Sequence, residues 1–122
     1  MANEITKTVS LSFAKGTISA VTFAEASKNV TVSGSRYHRA VQNIGTAEEA
    51  IGLGELSTLG WGMFKNLDAT NYVELRVATA GAKFAKLKPG ESCLLRLGSG
   101  ITAPFAISDT AACNLEYMIV ED

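Results

Sequence analysis

Hydrophobic and polar residues alternate along most of this chain with a period of two. In EITKTVSLSF, Ile5, Val9, Leu11 and Phe13 fall on one side, and Thr6, Thr8, Ser10 and Ser12 on the other. Successive strand side chains point to opposite faces, so this pattern predicts a half-buried strand with a Thr/Ser outer face. Ala14-Lys15-Gly16 supplies a turn, TISAVTF (17–23) a second strand, and Ser27-Lys28-Asn29 another turn before the short alternation VTVS. Gly34 breaks the pattern ahead of RYHRAVQNI (36–44), a strand with polar residues on one face.

Residues 45–60 depart from this period. TAEEA predicts a helix start, with Thr46 as N-cap and Glu49 completing a capping box. Gly52 and Gly54 limit it to one short helical turn near 46–51, followed by a brief strand at Glu55–Leu56. Beyond Gly60 the strands are WGMFKNL (61–67), YVELRVA (72–78), KFAKL (83–87), SCLLRLG (92–98) and CNLEYMIV (113–120). DATN (68–71) offers Asp68 and Asn71 as acceptors for turn N–H groups and predicts a hairpin or corner turn, the hairpin preferred, between the first two. Lys88-Pro89-Gly90 fits a type II turn. SGITAPFAIS reads as a looser edge, because Pro104 has no N–H to give a central ladder. Ten or so short strands at spacings of roughly 8–12 residues predict an all-β fold. The expected architecture is a single antiparallel β-sandwich domain over residues 1–122, with a jelly roll as first choice.

Composition narrows the picture. At 122 residues the chain can bury a core without metals or disulfides, and 47% hydrophobic against 19% charged residues is a globular balance. Eleven basic and twelve acidic residues remove any bulk attraction to nucleic acid. The charge is nonetheless uneven. Residues 1–46 hold five basic and two acidic side chains, net +3, and residues 47–122 hold six and ten, net −4. Such a split suits contacts between copies of opposite local potential. The polar start MANEITKTVS argues against a secretory segment, and no run approaches the roughly 18 apolar residues of a membrane helix. A soluble chain made in the cytosol is expected, with Cys93 and Cys113 as buried free thiols.

Candidate chemistry is sparse. The single His38 lies in SRYHRA between two arginines. No G-x-S-x-G elbow, H-E-x-x-H pair or catalytic cysteine signature completes a set around it. One histidine cannot supply the cluster that a cupin-type metal site needs. Asn66, Asp68 and Asn71 offer one carboxylate, too few for a calcium cage. GLGELS lacks the third glycine and the following helix of a dinucleotide fingerprint. Glu74, Glu91 and Glu116 would form a sugar-hydrolysing pair only if the fold brought them together; solvated outer-face residues are the alternative. A non-enzymatic chain without cofactor or metal is therefore expected. For partner contact, Arg36, Tyr37, His38 and Arg39 form the one basic and aromatic cluster, suited to an acidic surface, to nucleic acid, or to an exposed strand face. Trp61, between Gly60 and Gly62, fits either a close subunit contact or a core tryptophan. The uncharged Thr/Ser face of residues 6–12 is open to pairing with a neighbour.

IGTAEEAIGLGEL, GWGMFKNLDATNYVEL, FAKLKPGESCLLRL, APFA and DTAACNLEYMIVED, in that order, resemble a family of small virion proteins of tailed bacteriophages. The resemblance covers about residues 40–122, and its most specific piece is KNLDATNYVEL, followed by LKPGE and the LEYMIVED terminus. It implies a β-sandwich module that assembles on or within the particle, with no catalytic residue to carry over. The expected role is a capsid decoration or cement protein in the virion, binding the major capsid protein and itself, as trimers at local threefold positions. Neither a membrane nor nucleic acid is expected as a partner. A tail or neck component is the first alternative and a carbohydrate-binding attachment module the second, although one Trp and three Tyr give few platforms for sugar stacking. Arg36, Tyr37, Arg39 and Trp61 are the expected partner contacts, with the N-terminal strand as an arm across a neighbour.

Overall fold

Ten strands, all paired antiparallel, make up the regular structure in the computed structural model, which describes residues 4–122. Met1, Ala2 and Asn3, part of the polar start, lie outside the described residues. The chain falls into two compact units, one ending at Ser33 and the other spanning Gly34–Asp122.

The first unit is a two-stranded ribbon of β1 (Ile5–Lys15) and β2 (Ile18–Val30). Lys15 pairs with Ile18 across the two-residue loop Gly16-Thr17, and Gly16 has φ +58°. A glycine with positive φ at the first loop position is the type II′ pattern, whose twist matches that of the flanking strands. The turn expected at Ser27–Asn29 does not form. Instead β2 runs through it, with Lys28 opposite Lys7 and Asn29 opposite Thr6, and the Thr6 hydroxyl bonds the Asn29 side chain at 3.0 Å. The ladder satisfies the backbone that a turn would have satisfied, so VTVS does not start a strand of its own. Nor is β1 half-buried: all of it beyond Lys7 is exposed.

The second unit carries β3 (Tyr37–Ile44), β4 (Glu49–Ala50), β5 (Leu59–Asn66), β6 (Val73–Arg76), β7 (Lys83–Leu87), β8 (Ser92–Arg96), β9 (Phe105–Ser108) and β10 (Cys113–Glu121). Two four-stranded sheets result, in the orders β3-β10-β5-β8 and β4-β9-β6-β7. Four pairs nest inside one another: β6 with β7, β5 with β8, β4 with β9, and β3 with β10. The folded-back ribbon is closed by β10 pairing also with β5, and β9 also with β6. Inward positions from both sheets share one core. Ile44, Phe64, Leu115 and Ile119 come from the first sheet, Val73, Leu75, Leu87 and Ala106 from the second. Each of the larger side chains stabilises the fold by about 1.5–3 kcal/mol through burial.

Four local expectations are corrected here. No helical turn forms near 46–51. The Glu49 carboxylate does reach back, to the Gly45 N–H, but Glu49 and Ala50 pair with Ala106 and Phe105, and the Ile51 N–H goes to the Pro104 carbonyl. With that donor spent across the sheet, no i→i−4 ladder can start. Glu55–Leu56 is a turn, closed by the Leu56 N–H on the Leu53 carbonyl, rather than a strand. Residues 105–108 form an interior strand rather than an edge, because Pro104 sits just before the ladder instead of in it. DATN, finally, joins β5 of one sheet to β6 of the other, so it is a corner between sheets and not a hairpin.

Candidate functional site

Alternation along β5 places Phe64 and Asn66 inward and Trp61, Met63 and Lys65 outward. The same parity turns Tyr37, Arg39 and Val41 of β3, and Glu116 and Met118 of β10, to the outer face. Register then assembles rows across the sheet. Arg39, Met118, Met63 and Leu94 form one row, and Val41, Glu116, Lys65 and Ser92 the next. Tyr37, Val41, Met63 and Met118 are all exposed apolar side chains on this face. Around them stand two ion pairs, Arg39–Glu116 at 3.1 Å and Arg96–Asp122 at 2.6 Å. Arg96 also lies over the half-buried Trp61 ring, 5.5 Å from its centroid. A patch of apolar side chains rimmed by charge is the usual form of a protein-binding surface.

Three of the four predicted contact residues, Tyr37, Arg39 and Trp61, therefore share one sheet face. Arg36 does not join them. It lies ahead of β3, donates from Nη1 to the Glu55 carbonyl at 2.9 Å, and has Nε 3.9 Å from Glu121, so it pins the loop after β4. His38 points inward between Tyr37 and Arg39, its ring 5.9 Å from that of Tyr117. A Cβ on Gly54 would stand 2.8 Å from its Nδ1, so the glycine is what lets this loop close over the ring. The Tyr117 hydroxyl donates to the Gly52 carbonyl at 2.7 Å, and burial pushes its pKa up. Alternation thus divides the basic and aromatic cluster between the two faces, and acids neutralise its two arginines. A phosphate backbone would have to displace them.

The ribbon of β1 and β2 is a second surface. Val9, Leu11 and Phe13 stand opposite Glu25, Phe23 and Val21, so the apolar members line one face, and Ile18 near the tip is exposed as well. The opposite face carries hydroxyls: Ser12 and Thr22 bond each other at 3.0 Å. Lys7 and Glu25 form an ion pair at 2.5 Å, which with the Lys7 hydrogen bond holds the Glu25 carboxyl below its usual range. Neither Phe23 nor Met118 was marked by sequence reasoning as a contact. Alternation gives the parity of such side chains but not which sheet face is left uncovered.

Elsewhere the polar groups do structural work. Glu74 pairs with Lys83 at 3.1 Å, Glu91 accepts the Lys88 N–H at 2.7 Å, and Glu116 belongs to the other sheet, so these carboxylates do not converge. Glu48 binds the Thr79 hydroxyl, the Ala80 N–H and Arg76, and its pKa is lowered, first by Thr79 and then by Ala80. That anchor holds Ala80 at φ +51°, where a side chain is otherwise disfavoured. Cys93 and Cys113 are free, the first half-buried and the second buried, and burial raises both thiol pKa values, which lowers their thiolate fraction. Among the described residues no three His, Cys, Asp or Glu side chains group as metal ligands. Comparison with family models, with curated proteins and with solved structures returns no match.

Proposed function

We propose that this chain is a non-enzymatic structural protein of a tailed-phage virion, a capsid decoration or cement protein that binds the outer shell and bridges its subunits. The observation that carries the reading is the exposed apolar face of the β1–β2 ribbon. A two-stranded ribbon is marginal in water by itself, and an exposed apolar face of this kind marks an interaction site. The outer face of β3-β10-β5-β8, with Tyr37, Arg39, Trp61, Met63 and Met118, serves as the shell-facing surface in this reading. The phage assignment itself comes from the resemblance of residues 40–122 to small virion proteins. We take the second unit to be a jelly roll, a finer reading supported by its four nested strand pairs.

The mechanism is mechanical. Each copy contributes a modest contact, and many equivalent contacts on a symmetric lattice add up by avidity. A protein that binds the expanded shell better than the unexpanded one stabilises the former by linkage. The deciding experiment is quantitative mass spectrometry of purified particles, giving copies of this chain per copy of the major shell protein. Hundreds of copies per particle support decoration. A handful moves the chain to the tail or neck, and none removes it from the virion.

A further inference from the structure

The β1–β2 ribbon is half of a sandwich. One face carries Val9, Leu11, Phe13, Val21 and Phe23, and the other carries Ser10, Ser12 and Thr22. Sheets with one apolar face are stable when that face lies about 10 Å from another of the same kind. Leu11 is 71% exposed, Val21 64% and Phe23 82%, so the ribbon itself supplies no such cover. We propose that its cover is the same face of a second copy of this chain, making the ribbon the self-association element of the protein. The inference rests on the reading of the chain as an assembly protein and names the partner of one of its surfaces.

Area and chemistry both favour a second copy. With Ile18 near the tip there are six such residues, 44% to 82% exposed; at about 150–200 Å² for a fully exposed side chain they offer roughly 550–730 Å² per ribbon. A stable interface buries about 600–1,000 Å² per partner, so this face falls at the lower end of what a dimer needs. The face is also self-complementary. Its centre holds no charge, and its charged residues stand at the margins: the Lys7–Glu25 pair with Lys28 toward the base and Lys15 at the tip. Homotypic packing satisfies every copy at once, at equal stoichiometry, as closed symmetric assemblies require. A lipid surface is less well matched, since Lys7, Lys15 and Lys28 against Glu4 and Glu25 leave the ribbon only +1.

Light scattering with size exclusion, on the full chain at tens of micromolar, tests this directly. The wild type is expected to elute at a multiple of its 12.9 kDa chain mass. The double variant Leu11→Ser with Phe23→Ser is expected to elute as a monomer with the near-ultraviolet circular dichroism of the second unit unchanged. A wild type that is monomeric, or a variant with the wild-type mass, overturns the proposal. So does a wild type that gains mass only when shell particles or vesicles are added, which would give the face another occupant. Cysteine trapping is the second arm. Phe23→Cys is expected to form disulfide-linked dimers on oxidation and Thr22→Cys, on the opposite face, to form far fewer; equal yields refute the assigned face. These results are independent of particle copy number. A monomer abundant in virions would sink this inference alone, and an oligomer absent from virions would sink only the decoration role.

Discussion

Asn66 shows how much one buried side chain can hold. It is fully buried, and its Nδ2 donates to the carbonyls of Asn71 at 2.8 Å and Leu87 at 3.0 Å, while its Oδ1 accepts the Asp68 N–H at 2.9 Å. Asp68 continues the staple by accepting the N–H groups of Thr70 and Asn71. An Asn66→Ala chain leaves two carbonyls and one N–H without this partner, and urea unfolding should find it less stable by about 2–4 kcal/mol. A loss under about 1 kcal/mol would mean that water replaces the side chain without cost. The same corner carries a pH dependence. Backbone N–H groups, of Asn71 first and then Thr70, hold the Asp68 pKa below its usual value. A carboxyl with a lowered folded pKa stabilises the fold above its unfolded pKa and loses that contribution as pH falls through the folded one. Glu48 acts in the same direction through Thr79 and Ala80. The urea midpoint should therefore decline as pH drops below about 4. Asp68→Asn should flatten the decline, and an identical slope would show that these carboxyls do not govern it.

At the scale of elements, strand existence was legible and strand partnership was not. KFAKL forms β7 at the predicted residues, and RYHRAVQNI forms β3 to within one residue. Period-two burial is local information, carried by each strand alone. DATN was read correctly as a turn because Asp68 bonds its own neighbours. Whether the next strand folds back or crosses to the other sheet depends on long-range pairing, here β10 taking the place beside β5. TAEEA misled for a related reason: Glu49 does bond back to Gly45, but pairing with β9 overrides the local helix signal. Half of the outer-face surface was visible as Tyr37, Arg39 and Trp61. Met63 and Met118 were not, since methionine at a strand position fits a core as well as a contact. The face can be tested as an element. Tyr37→Ala with Arg39→Ala removes an exposed ring and one arm of an exposed ion pair, so stability should change by less than about 1 kcal/mol. Particle occupancy, measured by pelleting with shells, should fall several-fold. Unchanged occupancy would detach this face from shell binding.

The whole molecule divides its tasks between its two units. Every member of the hydrophobic core cluster comes from residues between Ile44 and Ile119, all within the second unit. The first unit places most of its large apolar side chains in the exposed class instead. Cooperative folding belongs with the buried set, because burial is what offsets chain entropy. In the proposed reading, association belongs with the exposed set. A chain beginning at Gly34 should consequently unfold in one transition, with a Tm within about 5 °C of the full-length chain, equivalent to roughly 1 kcal/mol for a domain this size. Scanning calorimetry on both chains, at several concentrations, is the measurement. Any transition of the ribbon in the full-length chain should move up with concentration, as it does when the folded state self-associates, whereas the transition of residues 34–122 should stay at one temperature in both chains. A concentration-dependent Tm in the shortened chain would place self-association on the second unit. A broad or absent transition would show that the core of residues 34–122 does not stand without the ribbon.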